Sequence, residues 1–404
     1  MYRQLENQLL SFVDLKICII DDKLAEIMAQ GTAVGPAYPI NKNITFALQR
    51  TLSTNNVDNG FLPINDETIK VREIFRETAQ ASQGSPIGAY TIKNCCVLGQ
   101  PGVIIDPDHH TCWLGYSLGW NLEMLKTTVQ RNNMGEVING KILRVRRSVL
   151  ESCKKHSVDS AHLLSLPGYA VFGHWIVDIA PRLQFLRDNP PQECTTLCAP
   201  PAASWAKEFA RMFDIDLADL LLLKQGEGIH VEELSLSSCI KSNRIIDGHS
   251  ARAAWKTMQG AYINNERLDV PASRKIYVSR SKLDSPRKFI NGGEIDIFFS
   301  SLGWQVVHPE ELSLRDQATI FSHASIIAGD DGSALHNSIY AKPGTKILCL
   351  DFQRGNLLHA SIANALKHKL AYVNGDKFED RKGTVQWEMP ITRLKQAVSM
   401  LENS

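Results

Sequence analysis

Long apolar runs are missing from this 404-residue sequence. No window reaches the ~20 uncharged apolar residues that a membrane-spanning helix requires. The opening residues 1–23 carry charged side chains throughout, so they resemble neither a signal peptide nor a membrane anchor. We therefore expect a soluble, cytoplasmic protein whose membrane contact is at most peripheral, at the inner membrane.

Cysteine patterns that mark disulfide frameworks or zinc sites are also missing. The nine cysteines are an odd set without a Cys-x-x-Cys pair. Cys194 and Cys198 lie four residues apart without a second pair, and His109-His110 near Cys112 is only a weak ligand pattern. We predict free thiols in a reducing compartment and no metal site.

Neither an excess of charge nor a common nucleotide-binding motif is present. Forty-four basic and 43 acidic side chains leave a net charge of +1, which argues against nucleic acid as a partner. Gly-x-Gly-x-x-Gly and Walker A motifs do not occur, which disfavours dinucleotide dehydrogenases and P-loop enzymes. An apolar content of 44% is typical of a globular protein, and the length allows two domains.

Strands and helices alternate in the last third of the chain, which is typical of a parallel, doubly wound sheet. In such sheets ligands bind at the carboxyl ends of the strands. The predicted strands are Arg274–Ser279, Trp304–His308, Ser325–Ala328, Lys346–Asp351 and Leu370–Val373, and helices are predicted from Asn291 to Leu302, from Ser313 to Ala324 and from Leu357 to Lys367.

A glycine turn in this region is our candidate anion site. Gly329-Asp330-Asp331-Gly332 leads into a short helix for which we predict Ser333 as the N-cap, and its free N–H groups suit a phosphate. Adjacent carboxylates repel an anion, so Asp330 and Asp331 are expected to face sugar or acceptor hydroxyls. The same turn also occurs as a purely structural element, and the sequence leaves both interpretations open.

The loop after the first of these strands is cationic. Arg280, Lys282, Arg287 and Lys288 are expected at the same sheet edge, where they would clamp a diphosphate. Solvated surface charge is the equal alternative.

A second informative stretch lies earlier, at Gly168–Leu183. If a helix begins after Gly173, His174 and Asp178 share one face, and the carboxylate would orient the imidazole as a general base. Trp175 would face the core, while Pro181 kinks or restarts the helix near Arg182. An ordinary surface His–Asp pair is the alternative.

Together these stretches resemble glycosyltransferase family 61 over roughly residues 90–375. The resemblance rests on four blocks that occur in this order: Gly173-His174-Trp175-Ile-Val-Asp178 with Pro181-Arg182-Leu183, Tyr277-Val-Ser-Arg280 with Arg287-x-x-x-Asn291, Ser313-Leu-x-x-Gln317, and Gly329-x-x-Gly332-Ser-Ala-Leu-x-Asn337 followed by Pro343-Gly344. Many family members carry Pro-His-Gly where this chain has Asp330-Asp331-Gly332, which leaves the role of Asp331 open between donor recognition and base catalysis.

The resemblance implies an α/β fold of GT-B architecture, with two Rossmann-like domains facing a cleft and an N-terminal β-containing extension. The expected domains are an extension (1–145), an acceptor domain (146–268), a nucleotide-sugar domain (269–385) and a C-terminal helix (386–404) that packs back on the acceptor domain. The polar linker Asn265–Ser273 would separate the two main domains.

The resemblance also implies an inverting, metal-independent transferase that needs no cofactor. The partners would be a nucleotide-sugar donor, a UDP-sugar in our prediction, and a glycan or lipid-linked glycan acceptor in bacterial capsule or lipopolysaccharide synthesis. The predicted catalytic residues are His174, Asp178 and Asp331; the predicted donor-binding residues are Arg280, Arg287, Asn291, Asp330, Gly332, Ser333, Ala334 and Asn337; Trp175 and Arg182 are predicted to bind the acceptor.

Two other functions stay open at this point: a nucleotide-sugar epimerase of the same architecture, and a catalytically silent subunit that binds a nucleotide-sugar. The sequence leaves the sugar, the linkage and any homo-oligomer undetermined.

Overall fold

The chain folds into two compact units, one of Met1–Leu52 with Gly84–Ser242 (unit 1) and one of Ser53–Gln83 with Asn243–Ser404 (unit 2). These bounds differ from the boundaries expected at residues 145 and 268, because residues 53–83 fold with the C-terminal half of the chain. The predicted linker lies, apart from Ser273, outside the described residues. The computed structural model describes residues 12–30, 37–53, 60–108, 110–115, 118–190, 196–199, 204–216, 220–263, 273–284, 287–379 and 384–404.

Unit 1 is organised around a twelve-stranded mixed sheet. The strand order is β11-β10-β9-β12-β4-β5-β6-β1-β8-β7, with β3 paired to β4 and β2 paired to β3. The strands of the unit are β1 (Phe12–Ile19), β2 (Ala37–Pro39), β3 (Ile44–Thr51), β4 (Pro86–Leu98), β5 (Val103–Asp106), β6 (Thr111–Leu114), β7 (Gly135–Ile138), β8 (Ile142–Arg146), β9 (Ser157–Leu163), β10 (Thr196–Ala199), β11 (Leu221–Leu222), β12 (Gly228–Ser237) and β13 (Lys241–Ser242).

The small sheet expected in a separate extension is therefore part of a larger sheet. β4 pairs antiparallel with β5 and with β12, while β9 pairs parallel with β10 and with β12. A strand was predicted over Lys141–Val149, but β8 ends at Arg146 and a helix follows. The helices of unit 1 are Ile20–Gln30, Leu122–Arg131, Arg147–Lys155, Phe172–His174, Ala180–Asp188 and Ser204–Arg211, with a π-helical segment at Trp175–Ile179.

Unit 2 contains the predicted parallel sheet. Five strands run in the order β16-β15-β17-β18-β19, and each neighbouring pair is parallel. The elements of the unit are β14 (Ile245–Ile246), β15 (Lys275–Val278), β16 (Gln305–Val307), β17 (Ile326–Asp330), β18 (Lys346–Asp351), β19 (Lys369–Asn374), β20 (Asp376–Glu379) and β21 (Val385–Glu388); the α-helices Asp66–Ser82, Gly248–Tyr262, Gly292–Ser301, Leu314–His323, Leu357–Leu366 and Ile391–Asn403; and the 3-10 helices Pro309–Glu311 and Ser333–Tyr340.

Segments from both ends of the chain complete this unit. The helix Asp66–Ser82 packs on β19 and on the helix Leu357–Leu366, and Asn65 Nδ2 donates to the Tyr372 carbonyl at 2.7 Å. The helix Ile391–Asn403 packs on β18 and β19 of its own unit, whereas the sequence led us to expect it on the acceptor domain. Its buried Leu394, Val398 and Leu401 belong to the core of the parallel sheet, so apolar burial decides its position.

Two expectations from the composition are met within the described residues. Seven cysteines are free thiols, while Cys194 and the side chain of Cys198 lie outside the described part. No helix in this part of the chain is long and apolar enough to cross a membrane.

Candidate active site

The predicted helix after Gly173 is continuous but changes its winding. An α-helical start, Phe172–His174, passes into the π-helical segment Trp175–Ile179, where the Ala180 N–H donates to the Trp175 carbonyl. The α-helix then runs to Asp188, with Pro181 in its first turn. A proline has no N–H to donate, and the wider π turn directly before it accommodates that loss without ending the helix.

His174 and Asp178 form the predicted contact. His174 Nδ1 lies 2.6 Å from Asp178 Oδ2, and the Asp178 side chain is 1% exposed against 32% for His174. Lys241, from β13, completes the cluster with Nζ 2.6 Å from Oδ1 and 2.8 Å from Oδ2 of Asp178. We call the His174–Asp178 dyad together with Lys241 the dyad cluster.

Opposing forces act on the buried carboxyl of this cluster. Burial disfavours the charged form of Asp178, but the charge of Lys241 and the hydrogen bond from His174 outweigh it and hold the pKa of Asp178 below its ordinary value. Burial likewise opposes the charged form of Lys241, and Asp178 reverses this, so the pKa of Lys241 is raised. The pair is therefore ionised at neutral pH.

A glycine beside the dyad cluster allows the imidazole to lie where it does. Gly168 has φ +86°, and a Cβ on it would collide with the His174 ring. The next residue, Tyr169, accepts a hydrogen bond from Trp175 Nε1 through its carbonyl at 2.6 Å. A residue with a side chain at position 168 would both strain the turn and displace His174.

Trp175 and Arg182, predicted to bind the acceptor, are both buried. Trp175 packs against Trp205 and Phe209. The Arg182 guanidinium donates to the Ser165 carbonyl at 3.2 Å and to the Leu118 carbonyl at 3.1 Å. Trp175 faces the core as predicted, and both side chains are buried by these contacts; acceptor binding by either residue stays a prediction.

In unit 2, Asp330 lies at the carboxyl end of β17 in a polar but buried setting. Tyr277 Oη donates to its Oδ1 at 2.7 Å, and the Arg280 backbone N–H donates to its Oδ2 at 3.2 Å. Burial raises the pKa of Asp330 to about 7, although both hydrogen bonds oppose the shift. Because its two oxygens accept from these donors, Asp330 links the carboxyl end of β17 to Tyr277 and Arg280.

Asp331 has different partners. Its Oδ1 is 2.8 Å from Asn356 Nδ2 and 2.9 Å from His359 Nε2, and its Oδ2 is 3.4 Å from the Arg354 guanidinium. Burial opposes ionisation, but His359, Asn356 and Arg354 outweigh it and lower the pKa of Asp331. A buried carboxylate bonded on both oxygens is a weak proton acceptor, which argues against Asp331 as the base.

The predicted cationic loop separates into two kinds of side chain. Lys282 pairs with Glu311 at 2.9 Å, and Lys288 donates to the Leu283 carbonyl at 2.9 Å. Arg280 Nε donates to the Arg287 carbonyl at 3.1 Å, and the charge of Arg287 is close enough to lower the pKa of Arg280, after burial as the main cause. Two neighbouring guanidinium groups at the carboxyl end of a parallel sheet favour an anion between them.

Gly332 is the close neighbour of this arginine. A Cβ at position 332 would overlap the Arg280 guanidinium, while its φ of 170° is extended backbone that any residue adopts. The need for glycine at position 332 is therefore one of space and not of backbone conformation. Ser333 was wrong as N-cap, because Gly332 caps the 3-10 helix without a side-chain bond.

The remaining residues that were predicted to bind the sugar donor differ in whether they lie beside the Gly332 turn. Ser333 and Ala334 lie half-buried at the start of the 3-10 helix, beside Gly332. Asn337 is buried and donates to Gln317 Oε1 at 2.7 Å. Asn291 Nδ2 donates to the Met389 carbonyl, and Asn291 Oδ1 accepts from the Met389 N–H. These contacts give Asn291 and Asn337 structural partners away from the turn.

The model of the family Glycosyltransferase 61 matches residues 172–348. The match begins at the helix that carries His174, includes Lys241, Arg280 and the Gly332 turn, and ends within β18. Over these residues the chain is similar to glycosyltransferase family 61, and the match supports a glycosyltransferase. No curated protein matches the sequence.

A glycosyltransferase acts on a donor and an acceptor substrate. Several residues at the two polar clusters of this chain escaped the sequence reasoning. Lys241 lies 63 positions after Asp178 and carries no local signal. Asn356 and His359 lie beyond the family match and did carry a local signal. An N-cap residue and a histidine three positions later lie on the same side of a helix start.

One group among the described residues of this transferase has the donor atoms for a metal. The ligand atoms of Asp331, Cys349 and His359 lie within 4.8 Å of one another and all three residues are buried. A cysteine binds zinc as the thiolate, whereas burial raises the pKa of the Cys349 thiol well above its ordinary value. The hydrogen bonds of Asp331 already account for two of the three groups.

Proposed function

We propose that this glycosyltransferase inverts the anomeric carbon while it moves a sugar from a nucleotide-sugar, a UDP-sugar in our proposal, to a hydroxyl of a glycan acceptor in surface polysaccharide synthesis. The observation that carries the proposal is the dyad cluster: a half-exposed imidazole held by a buried, ionised carboxylate. Such a pair suits a base that takes a proton from a hydroxyl. The same proposal includes a GT-B architecture and a transfer step that needs no metal ion.

His174, rather than Asp178, is the proton acceptor in this proposal. Asp178 Oδ2 is hydrogen-bonded to both His174 and Lys241, Oδ1 lies 2.6 Å from Lys241 Nζ, and the Asp178 side chain is 1% exposed, whereas His174 is 32% exposed. Because Nδ1 faces Asp178, Nε2 is the ring atom left for a substrate proton. Asp178 then orients the imidazole and stabilises its charged form after the transfer.

The reaction step balances as one displacement. His174 Nε2 takes the proton of the acceptor hydroxyl while the hydroxyl oxygen forms a bond to the anomeric carbon. The bond from that carbon to the diphosphate oxygen breaks, and its electron pair leaves with the nucleoside diphosphate. Arg280 and Arg287 stabilise the charge that develops on the leaving group.

Nucleotide titration tests the anion site. We expect UDP to bind the full-length protein with a Kd about 10- to 100-fold weaker in Arg280→Met, because a charge-assisted bond to phosphate is lost. Lys282→Met is the matched control, since this cation of the same loop is paired with Glu311. Isothermal titration calorimetry with UDP, GDP and CMP compares the three proteins. Equal weakening in both variants would contradict the site.

Turnover tests the base. With the nucleotide-sugar that binds best, His174→Gln and Asp178→Asn are expected to lose transfer at least 100-fold while they keep nucleotide affinity. Asp188→Asn, at the exposed end of the same helix, is the control. Retained transfer in His174→Gln would refute this assignment. A product formed from donor alone would identify an epimerase instead, and binding without any product a silent subunit.

A further inference from the structure

Lys241 makes a two-point contact with Asp178 that the proposed reaction has not yet used. Its Nζ lies 2.6 Å and 2.8 Å from the two carboxylate oxygens. Oδ2 of Asp178 is shared, because His174 Nδ1 approaches the same atom at 2.6 Å. One carboxylate charge is therefore divided between an ammonium group and an imidazole.

We propose that Lys241 is a positioning residue that holds Asp178 in place and keeps His174 in the neutral, proton-accepting form. This inference rests on the proposed function, in which His174 is the base. A neutral imidazole that donates from Nδ1 to Asp178 accepts at Nε2, whereas an imidazolium accepts no proton.

The charge of Lys241 decides how strongly Asp178 attracts a second proton onto His174. An isolated carboxylate next to an imidazole favours the imidazolium. When the carboxylate already faces an ammonium group, the added attraction is weaker, because the two cations repel each other. Removing the charge of Lys241 therefore favours protonated His174, which is inactive as a base.

The other charged or titratable groups around the cluster do not replace Lys241. The charge of Arg182 also acts on Lys241, but its guanidinium donates to the Ser165 and Leu118 carbonyls and to Cys239 Sγ rather than to Asp178. Burial raises the pKa of the neighbouring Cys239 thiol and of the Tyr169 hydroxyl, so both stay neutral at physiological pH. Among the described residues, Lys241 is the lysine that salt-bridges Asp178.

The geometry favours positioning over direct substrate binding by Lys241. Its side chain is 25% exposed, its Nζ donates a hydrogen bond to Asp178 Oδ2, and the same Nζ lies 2.6 Å from Oδ1. A lysine that bound substrate directly would change KM and leave the titration of His174 in place. The two roles therefore differ in a measurable way.

The experiment titrates His174 in the full-length protein by NMR and measures kcat against pH. The His174 signal is assigned as the imidazole resonance missing from His174→Gln. In Lys241→Met and Lys241→Gln we expect two changes of roughly one pH unit. The midpoint of the His174 titration moves to higher pH, and so does the acidic limb of the curve of kcat against pH. Activity then recovers at higher pH, and Lys241→Arg behaves like the wild type. Lys224→Met, which removes a cation paired with Glu227, is the control.

An unchanged or lowered midpoint in a folded Lys241→Gln protein would overturn the inference, as would Lys241→Arg behaving like Lys241→Met. The two hypotheses fail separately. If His174→Gln keeps full transfer, the proposed function fails whatever Lys241 does. If His174→Gln is inactive while the midpoint in Lys241→Gln stays in place, only the role of Lys241 is refuted.

Discussion

The buried aspartates of this protein differ in charge because their partners differ. Asp178 faces an ammonium group and an imidazole, and Asp331 faces a histidine, an amide and a guanidinium. The main donors to Asp330 are a tyrosine hydroxyl and a backbone N–H, both neutral. Neutral donors do not offset the cost of burying a full charge, so Asp330 alone of these three has a raised pKa.

The raised pKa of Asp330 predicts that the folded protein loses stability as the pH rises. Its pKa is about 7 in the folded protein against 3.8 unfolded, so the native state binds more protons between these values. Stability from this group therefore falls between about pH 4 and pH 7. Relative to wild type, Asp330→Asn is expected to gain about 3 kcal/mol in free energy of unfolding between pH 5 and pH 8. Urea unfolding of both proteins at pH 5 and pH 8 measures this difference. The same change in the free energy of unfolding with pH in wild type and Asp330→Asn would contradict the prediction.

Asp331 predicts a structural rather than a catalytic phenotype. Asp331→Asn leaves at least one of its three donors without an acceptor, which costs about 1–3 kcal/mol. Because Asp331 is not the proton acceptor in the proposed reaction, we expect kcat at saturating donor to change less than threefold. Thermal melting, UDP titration and initial rates separate these effects. A folded variant with normal UDP affinity and no turnover would make Asp331 the base after all.

Two short elements determine how the site side chains are presented. The π-helical segment Trp175–Ile179 carries Asp178 directly before Pro181. In unit 2 the strands β15, β17 and β18 end side by side, because they are neighbours in a parallel sheet. Asp351 then accepts hydrogen bonds from the Arg354 and Gly355 N–H groups, which shapes the turn that presents Arg354.

The Gly332 turn predicts a substitution that affects binding but not folding. A Cβ at Gly332 overlaps the Arg280 guanidinium, the mobile end of a side chain, while the extended backbone accepts alanine. Gly332→Ala is therefore expected to weaken UDP binding about tenfold and to change stability by less than about 1 kcal/mol. Gly293→Ala is the control, because a Cβ there meets nothing. Titration and thermal melting give both quantities; unchanged affinity would show that Arg280 does not bind the donor.

Unit 2 depends on a helix from the first quarter of the chain. Phe75 of the helix Asp66–Ser82 is 1% exposed, and its ring packs on Phe61 at 5.6 Å between centroids. Thr68 Oγ1 accepts a hydrogen bond from the Tyr372 N–H in β19 at 2.8 Å. This helix is therefore part of the core of unit 2 rather than an appendage.

Phe75→Ala tests that dependence across the whole molecule. The lost burial and the cavity are expected to cost about 3–5 kcal/mol, and β18 and β19 should lose amide-exchange protection while β4 and β12 of unit 1 keep theirs. Ile74→Ala, on the same helix but 43% exposed, is the control. Hydrogen exchange with mass spectrometry makes the comparison. A loss confined to residues 66–82 would show that unit 2 folds without the helix.

Local sequence signals predicted the elements of the parallel sheet well. The helices predicted from Ser313 to Ala324 and from Leu357 to Lys367 are present within one residue at each end, and Ser313 is the N-cap of the first. Such features depend on periodicity and capping, which neighbouring residues determine. The wide sheet of unit 1 was missed because its pairings join distant strands, such as β4 with β12, and leave no local pattern.

The family resemblance, the parallel sheet and the His174–Asp178 contact could be predicted from the sequence, because each depends on residues a few positions apart. The fold was needed to show that Lys241 joins that pair, that Asp331 is bonded to His359, and that Trp175 and Arg182 are buried. Charge, burial and hydrogen bonding depend on what the fold brings together from distant parts of the chain. They also decide which of the predicted residues remain available for chemistry.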